Sequence, residues 1–332
     1  MKKPPFFIVG CSRSGTTLLQ SLLDAHPNLA IPPESQIYYR FGGIFPYYGD
    51  LSVDRNRRRF IRDLLGDAYI QKWNMNLSVS KVERMAPKFT RAHIIESLFR
   101  FYKEERGAER WGDKTPEHIR YLPMIREDFP DAYLIHLVRD GRDVAEAFRR
   151  MIFGPVSALG LGRTWRREVT HWLDYRKEGE TENMLEVRYE DLVSAPKEVL
   201  KRILAFIDEP FVDTTNRYAN SKVSGLVGSE SWHSSLHHGI TTDKVGIYRR
   251  KLSERDVEIF EYVAGNILET YGYQPELQNP KRPSVSDRVY SFIADRFLRW
   301  YRKAFEMKVF AWDLQYRGRA LLRYLQWNFW EE

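Results

Sequence analysis

The stretch that most constrains this chain opens it: Phe6-Phe7-Ile8-Val9-Gly10, then Cys11-Ser12-Arg13-Ser14-Gly15, then Thr16-Thr17-Leu18-Leu19. A short apolar run ends in glycine, a small polar loop follows, and an amphipathic segment runs from Thr16 to Ala25. A strand, a tight turn and a helix start in that order aim backbone N–H groups and a helix N-terminus at one point. Such a point is a cradle for a phosphate-like anion. The pattern nearly matches the triphosphate loop G-x-x-x-x-G-K-[ST]. Gly10, Gly15 and Thr17 are in place, but Thr16 stands where the lysine belongs.

The missing lysine changes the expected chemistry. In a triphosphate loop it reaches the β and γ phosphates, and the hydroxyl after it helps to hold magnesium. Thr16 cannot neutralise a γ-phosphate. The cation has moved inside the loop, to Arg13, whose planar fork suits a tetrahedral oxyanion closer by. The loop therefore fits a shorter anion such as a 5′-phosphosulfate. The plain alternative is a Gly/Ser/Thr turn with no ligand. Strand, loop and helix signals in the right order around the motif argue against it.

Arg13-Ser14-Gly15-Thr16-Thr17 followed by Leu18-Leu19 resembles the 5′-phosphosulfate loop of the sulfotransferases, which use 3′-phosphoadenosine-5′-phosphosulfate (PAPS) as donor. Leu23-Asp24-Ala25-His26-Pro27 and then Glu34 are similar to the tyrosylprotein and carbohydrate branches of that superfamily. The resemblance runs in scattered motifs from about residue 6 to 273 and does not reach the last sixty or so.

Composition fits a globular enzyme. The chain has 332 residues, 43% hydrophobic and 29% charged, enough for one large α/β domain with an appendage. A net charge of +7 suits an anionic donor, an acidic acceptor or an anionic membrane surface. No helix-turn-helix, zinc-finger or RNP pattern supports nucleic acid as a partner. The single cysteine, Cys11, excludes an intrachain disulfide and reads as a small residue packed against the sheet rather than a catalytic thiol. Lys2-Lys3 precedes an apolar run too short for a signal sequence. No apolar stretch reaches membrane-spanning length. Golgi sulfotransferases carry such an anchor, so the expected location is cytoplasmic, with peripheral membrane contact left open.

Strand and helix signals alternate along the chain. Residues 36–48 are dense in aromatics, from Tyr38 to Tyr48. Residues 51–106 read as helices, with Arg57-Arg58-Arg59 as a solvated face. Residues 108–113 read as a strand, and Thr115 as the cap of a helix with Pro116 at its first position. Residues 132–138 form a nearly continuous apolar run, as a parallel strand covered on both faces would. Helices follow over about 142–152 and 163–177, a strand over 184–188, and helices over 196–207 and 253–271, with Gly272 as a stop. Residues 214–250 read as a long loop of the kind that often acts as a lid. The predicted fold is α/β: a P-loop-like three-layer domain, residues 1–279, with a central parallel sheet flanked by helices. A C-terminal helical extension, 280–332, mixes Val289, Phe292, Ile293, Phe297, Trp300 and Tyr301 with Arg288, Arg296, Arg299 and Arg302. A second such stretch spans about 319–330. They read as helices packed on the domain or a partner subunit, with an interfacial membrane contact as the alternative.

Ligands of such sheets sit at the carboxyl ends of the strands, and the Gly10–Gly15 loop, Arg139 and Tyr189 all follow predicted strand ends. Residues 13–17 take the 5′ end of the donor. The resemblance implies that Arg139 holds its 3′-phosphate, that Tyr189 and Arg250 contact the donor, and that Ser235 in the long loop, like Arg13, belongs to the catalytic set. Lys114, in Asp113-Lys114-Thr115-Pro116, matches the family's lysine for transition-state charge. Glu34 stands where the tyrosylprotein branch has its catalytic glutamate, and His26 reads as structural. One departure is Ala147, where the family usually has a serine eight residues after the arginine. The loss of that hydrogen bond costs about 1.5–3 kcal/mol, and Arg142, Arg149 or Arg150 can compensate. The implied activity is metal-independent, in-line sulfonate transfer to an acceptor hydroxyl on a carbohydrate, tyrosine, lipid or small alcohol. The rivals are a small-molecule kinase or a nucleotide-binding adaptor with a degenerate phosphate loop.

Overall fold

The computed structural model describes residues 3–149, 151, 154–179, 181–216 and 240–305, with side chains to residue 297. The chain begins with strand β1 (Phe6–Gly10), helix α1 (Thr16–Asp24) and a two-residue strand β2 (Leu29–Ala30). Helix α2 (Ile37–Phe41) and a 3-10 turn (Phe45–Tyr48) lead to α3 (Asp54–Leu65), α4 (Ala68–Gln71), α5 (Val79–Met85) and α6 (Arg91–Glu105). Strand β3 (Arg110–Lys114), a 3-10 helix (Pro116–Tyr121) and α7 (Leu122–Asp128) come next. Strand β4 (Tyr133–Val138) precedes α8 (Gly141–Arg149) and α9 (Ala158–Glu178), and β5 (Met184–Arg188) precedes α10 (Tyr189–Ser194) and α11 (Pro196–Phe206). The last described helices are α12 (Tyr248–Lys251), α13 (Glu254–Thr270) and α14 (Val285–Phe305).

The strands form one parallel sheet in the order β2-β3-β1-β4-β5, so the strand that carries the anion loop is central. Its side chains alternate between two cores, as a strand covered on both faces must. Phe6 and Ile8 pack with Leu19, Leu22 and Ile203 from α1 and α11. Phe7 and Val9 pack on the other face with Ile95, Phe99 and Trp111. The result is the expected three layers.

Register brings the functional ends together. Gly10 pairs with Leu137, and Val138 pairs with Arg188, so Arg139 and Tyr189 leave their strands level with the loop. Lys114 ends β3 opposite Ile8.

Several expectations change. Pro116 starts a 3-10 helix rather than an α-helix, and the Thr115 side chain does not cap it. Its hydroxyl instead donates to Asp113 and accepts from the Ser35 and Gln36 amides. Arg57 is no solvated residue: it is buried, bonding Asp54, Glu83 and the Ser52 carbonyl. Of the aromatics between residues 38 and 48, Tyr38, Phe41, Phe45 and Tyr48 fill the core, and Tyr39 faces solvent. In the C-terminal extension, α14 leans on the start of α9 through polar contacts. Asp295 accepts from the Val156 and Ser157 amides, and Ser157 Oγ bonds Ser291 Oγ at 2.8 Å. Among the described side chains, its large apolar residues Val289, Tyr290, Phe292, Ile293 and Phe297 are exposed. The second stretch, 319–330, lies outside the described residues.

Candidate active site

The loop is shaped by two left-handed residues. Arg13 has φ 74° and Gly15 φ 96°, with the Ser14 amide bonded to the Cys11 carbonyl between them (3.1 Å). Gly15 is the N-cap of α1, so the first N–H groups of that helix have no partner within it. A Cβ at Gly15 would run into the Tyr189 ring, so space and φ both require glycine there. Ser14 Oγ is buried without a hydrogen-bond partner among the described residues. A buried hydroxyl of that kind calls for a ligand or water. These features fit an oxyanion held by the loop.

The cation absent from position 16 comes from the neighbouring strand. Lys114, 2% exposed at the end of β3, donates to Thr17 Oγ1 at 3.3 Å and pairs with the Glu34 carboxylate. Glu34 is held in place from several sides. Gln20 of α1 donates to the Pro32 carbonyl (2.6 Å), and Trp73 Nε1 to the Pro33 carbonyl (2.8 Å). Below it, Ser35 Oγ donates to Asp113 (2.9 Å) and Gln36 Nε2 donates to Glu34 itself (3.0 Å). His118 Nε2 accepts from the Tyr38 amide, so its proton sits on Nδ1, 2.9 Å from Asp113 Oδ2. One buried aspartate thus ties the end of β3 to the loop that carries Glu34.

A second carboxylate stands beside the first. Glu117 accepts from Gln36 Nε2 (3.1 Å) and from Ser12 Oγ of the anion loop (2.7 Å). Burial pushes its carboxyl above the ordinary range, and the charge on Glu34 adds to the shift. Burial and the charges on Glu168 and Glu117 hold the Cys11 thiol far above its usual pKa, so it stays a packed, protonated residue.

Arg139 closes the other side. Its guanidinium lies over the Tyr189 ring at 4.5 Å and donates to the Arg13 carbonyl (3.3 Å) and the Lys244 carbonyl (2.6 Å). Asp143 accepts from the Gly246 and Tyr248 amides (2.8 and 3.0 Å), which lays the 244–248 segment against Arg139. Burial raises the Asp143 carboxyl to about 6, against the pull of Arg139 and those amides.

The structure therefore brings Arg13, Ser14, Gly15, Thr16, Thr17, Glu34, Lys114, Arg139 and Tyr189 to one end of the sheet. Arg250 is exposed on α12 and, among the described residues, its guanidinium donates only to the Asp243 carbonyl (3.4 Å). Ser235 lies outside the described residues. Arg142 is not available to replace the contact missing at Ala147. It is buried between Asp140, Glu261 and the Gln274 carbonyl, so its donors are engaged. Arg149 is paired with Asp256 at 3.2 Å, and Arg150 lies outside the described residues. His26 bonds the Pro210 carbonyl and the Asn28 amide, a structural role. Glu117, Gln36 and Asp113 carry no local sequence signal for a role in the site, because their partners Ser12, Glu117 and Ser35 are brought to them by the fold.

Comparison with known proteins places the chain in a family. Residues 4–213 match the model of the Sulfotransferase family. The chain is 24% identical over 320 residues to protein-tyrosine sulfotransferase A of Caenorhabditis elegans, covering 92% of this chain and 77% of that protein. It is 26% identical over 218 residues to the protein-tyrosine sulfotransferase of Drosophila melanogaster, 63% of this chain but only 39% of that one. In fold it is similar to the sulfotransferase domain of the Synechococcus PCC 7002 olefin synthase. The TM-score is 0.53 at 24% identity, covering 80% of this chain and 96% of that domain. With a family match over well above half its length, the chain belongs to the sulfotransferase family.

Proposed function

We propose that this protein moves the sulfonate of PAPS to an acceptor hydroxyl with Glu34 as general base. The observation that carries the reading is Lys114 Nζ, which reaches both Thr17 in the anion loop and the carboxylate of Glu34. A cation between an anion cradle and a carboxylate serves both halves of the transfer.

The loop amides, Ser14 and Thr17 hold the 5′-phosphosulfate, and Arg13 supplies charge beside it. Arg139, stacked on Tyr189, serves the 3′-phosphate once it exchanges its bond to the Lys244 carbonyl. In the reaction the sulfur–oxygen bond to the 5′-phosphate breaks as one forms to the acceptor oxygen. The acceptor proton passes to Glu34, and adenosine 3′,5′-bisphosphate leaves. Negative charge grows on the former bridging oxygen, and the Lys114 ammonium and the loop amides stabilise it. Gln36 orients Glu34, and the Asp113 network keeps the carboxylate and Lys114 in register. The names of the relatives make a tyrosine phenol the first acceptor to try; sugar, lipid and small-alcohol hydroxyls complete the set.

The test is transfer from radiolabelled PAPS to a tyrosine peptide and to a panel of sugars and alcohols, for wild type and Glu34→Gln. The variant should lose at least about a hundredfold in rate. Its affinity for adenosine 3′,5′-bisphosphate should stay unchanged. A rate near wild type would remove Glu34 from the base role. Stabilisation by magnesium-ATP alone, and not by the bisphosphate, would favour the kinase reading instead.

A further inference from the structure

Over its described side chains, helix α14 turns its large apolar residues outward. Val289 is 51% exposed, Tyr290 64%, Phe292 61%, Ile293 58% and Phe297 62%. At 100° per residue these positions share one face, opposite the buried Ser291 and Asp295. A contiguous apolar face on a helix needs an occupant.

The charge around that face says which kind. Beside α14 lies an open cleft of about 570 Å³ whose lining includes Arg163, Arg166, Arg167, Arg282 and Arg288. The side chains of Arg163 and Arg282 have no hydrogen-bond or ion-pair partner among the described residues. On the helix itself, the Arg296 guanidinium lies over the Phe292 ring at 5.0 Å, so cation and apolar surface are offered side by side. The acids nearby are already satisfied. Asp174, in the cleft lining, is paired with Lys177, Asp287 is paired with Arg255, and Asp295 accepts from the Val156 and Ser157 amides. From residue 280 to the end of the sequence, eleven lysines and arginines stand against six acids, with four tryptophans among them. None of the residues that hold Glu34, Lys114 or the anion loop lines this cleft.

We propose that the exposed face of α14 and the arginine cleft beside it dock this protein on an anionic phospholipid bilayer. The apolar residues enter the headgroup–acyl boundary, and the arginines meet lipid phosphates while their stems lie along the apolar surface. Both parts are needed, because a purely apolar face has no preference for anionic lipid and a purely basic one is released by salt. The surface is independent of the donor site, so it stands or falls separately from the proposed transfer reaction.

The test uses the full chain with vesicles of phosphatidylcholine, alone or mixed with phosphatidylserine, read by co-sedimentation. The protein should pellet with the mixed vesicles and not the neutral ones, and more weakly as salt rises. Ile293→Glu with Phe297→Glu should cut the bound fraction at least about tenfold. Arg163→Ala with Arg288→Ala should cut it too, and both double variants should keep wild-type Tm and bisphosphate affinity. Soluble phosphoserine should not release the protein, which separates a bilayer from a free phosphate ligand. Absence of binding to the mixed vesicles would overturn the proposal. So would equal binding by the glutamate variant, or a dimer in sedimentation velocity that this variant dissociates, which would make a second copy the occupant.

Discussion

Lys114 and Glu34 form an ion pair across the mouth of the anion loop, with the lysine amine also 3.3 Å from Thr17 Oγ1. The pair joins the end of β3 to the loop that follows β2. The phosphate-binding turn lacks its own lysine, and this one, from the adjacent strand, lies beside it on the side of Glu34.

Removing that amine should therefore damage the reaction more than binding. Lys114→Met should lower kcat by about 10²–10³-fold, the usual scale for one donor aimed at developing charge. The bisphosphate Kd should rise far less. Initial rates and calorimetry on the same preparation check this; a kcat within twofold of wild type would contradict it.

Gly15 answers to two constraints at once, its φ of 96° and the Tyr189 ring where a Cβ would sit. Gly15→Ala should cost about 1–3 kcal/mol in backbone strain and displaced ring. Adding Tyr189→Ala should return the steric part and leave the strain. Thermal unfolding of the two single variants and the double variant reads the coupling; purely additive effects would contradict the contact.

Glu117 gives the fold a pH signature. Its carboxyl titrates above its unfolded value because it is buried beside the charge of Glu34. Between the unfolded and folded pKa values the native state holds a proton that the unfolded chain releases, so this group's contribution to stability falls as pH rises through that window. Glu117→Gln removes the titration. The Tm of the variant relative to wild type should rise from acidic to mildly alkaline pH. A difference that stays flat or falls would contradict the assignment.

Asp113 should behave as a positioning residue. Asp113→Asn leaves the Ser35 and Thr115 hydroxyls to share one amide oxygen and removes the carboxylate 2.9 Å from His118 Nδ1. Breaking a buried network of this kind costs about 3 kcal/mol. With Glu34 less well held, kcat should fall while KM for the donor stays within a few fold. Unchanged stability together with unchanged kcat would show that the network does not set the geometry.

Much of the frame was legible because local signals agreed with the fold. The β1–α1 motif, the apolar run that became β4, and the strand over 184–188 all carry patterns that short stretches of sequence reveal. The exit positions of Arg139 and Tyr189 followed from them. What sequence did not reveal depends on distant pairs. Lys114 meets Glu34 across 80 residues, and Glu117 meets Ser12 across 105. Arg142 looked available because its partner Glu261 lies 119 residues away. Periodicity showed that α14 is amphipathic but not that its polar side, through Ser291 and Asp295, is the one that packs.

The central claim is that a loop without its own lysine, completed by Lys114 and braced by Arg139, holds a sulfonated adenylate. Calorimetric titration of adenosine 3′,5′-bisphosphate into the purified protein, without magnesium, tests it most directly. The account predicts saturable binding at a single site, weakened at least about tenfold by Arg13→Ala, the scale of one lost charge-assisted hydrogen bond. No measurable binding, or binding indifferent to Arg13, would contradict it.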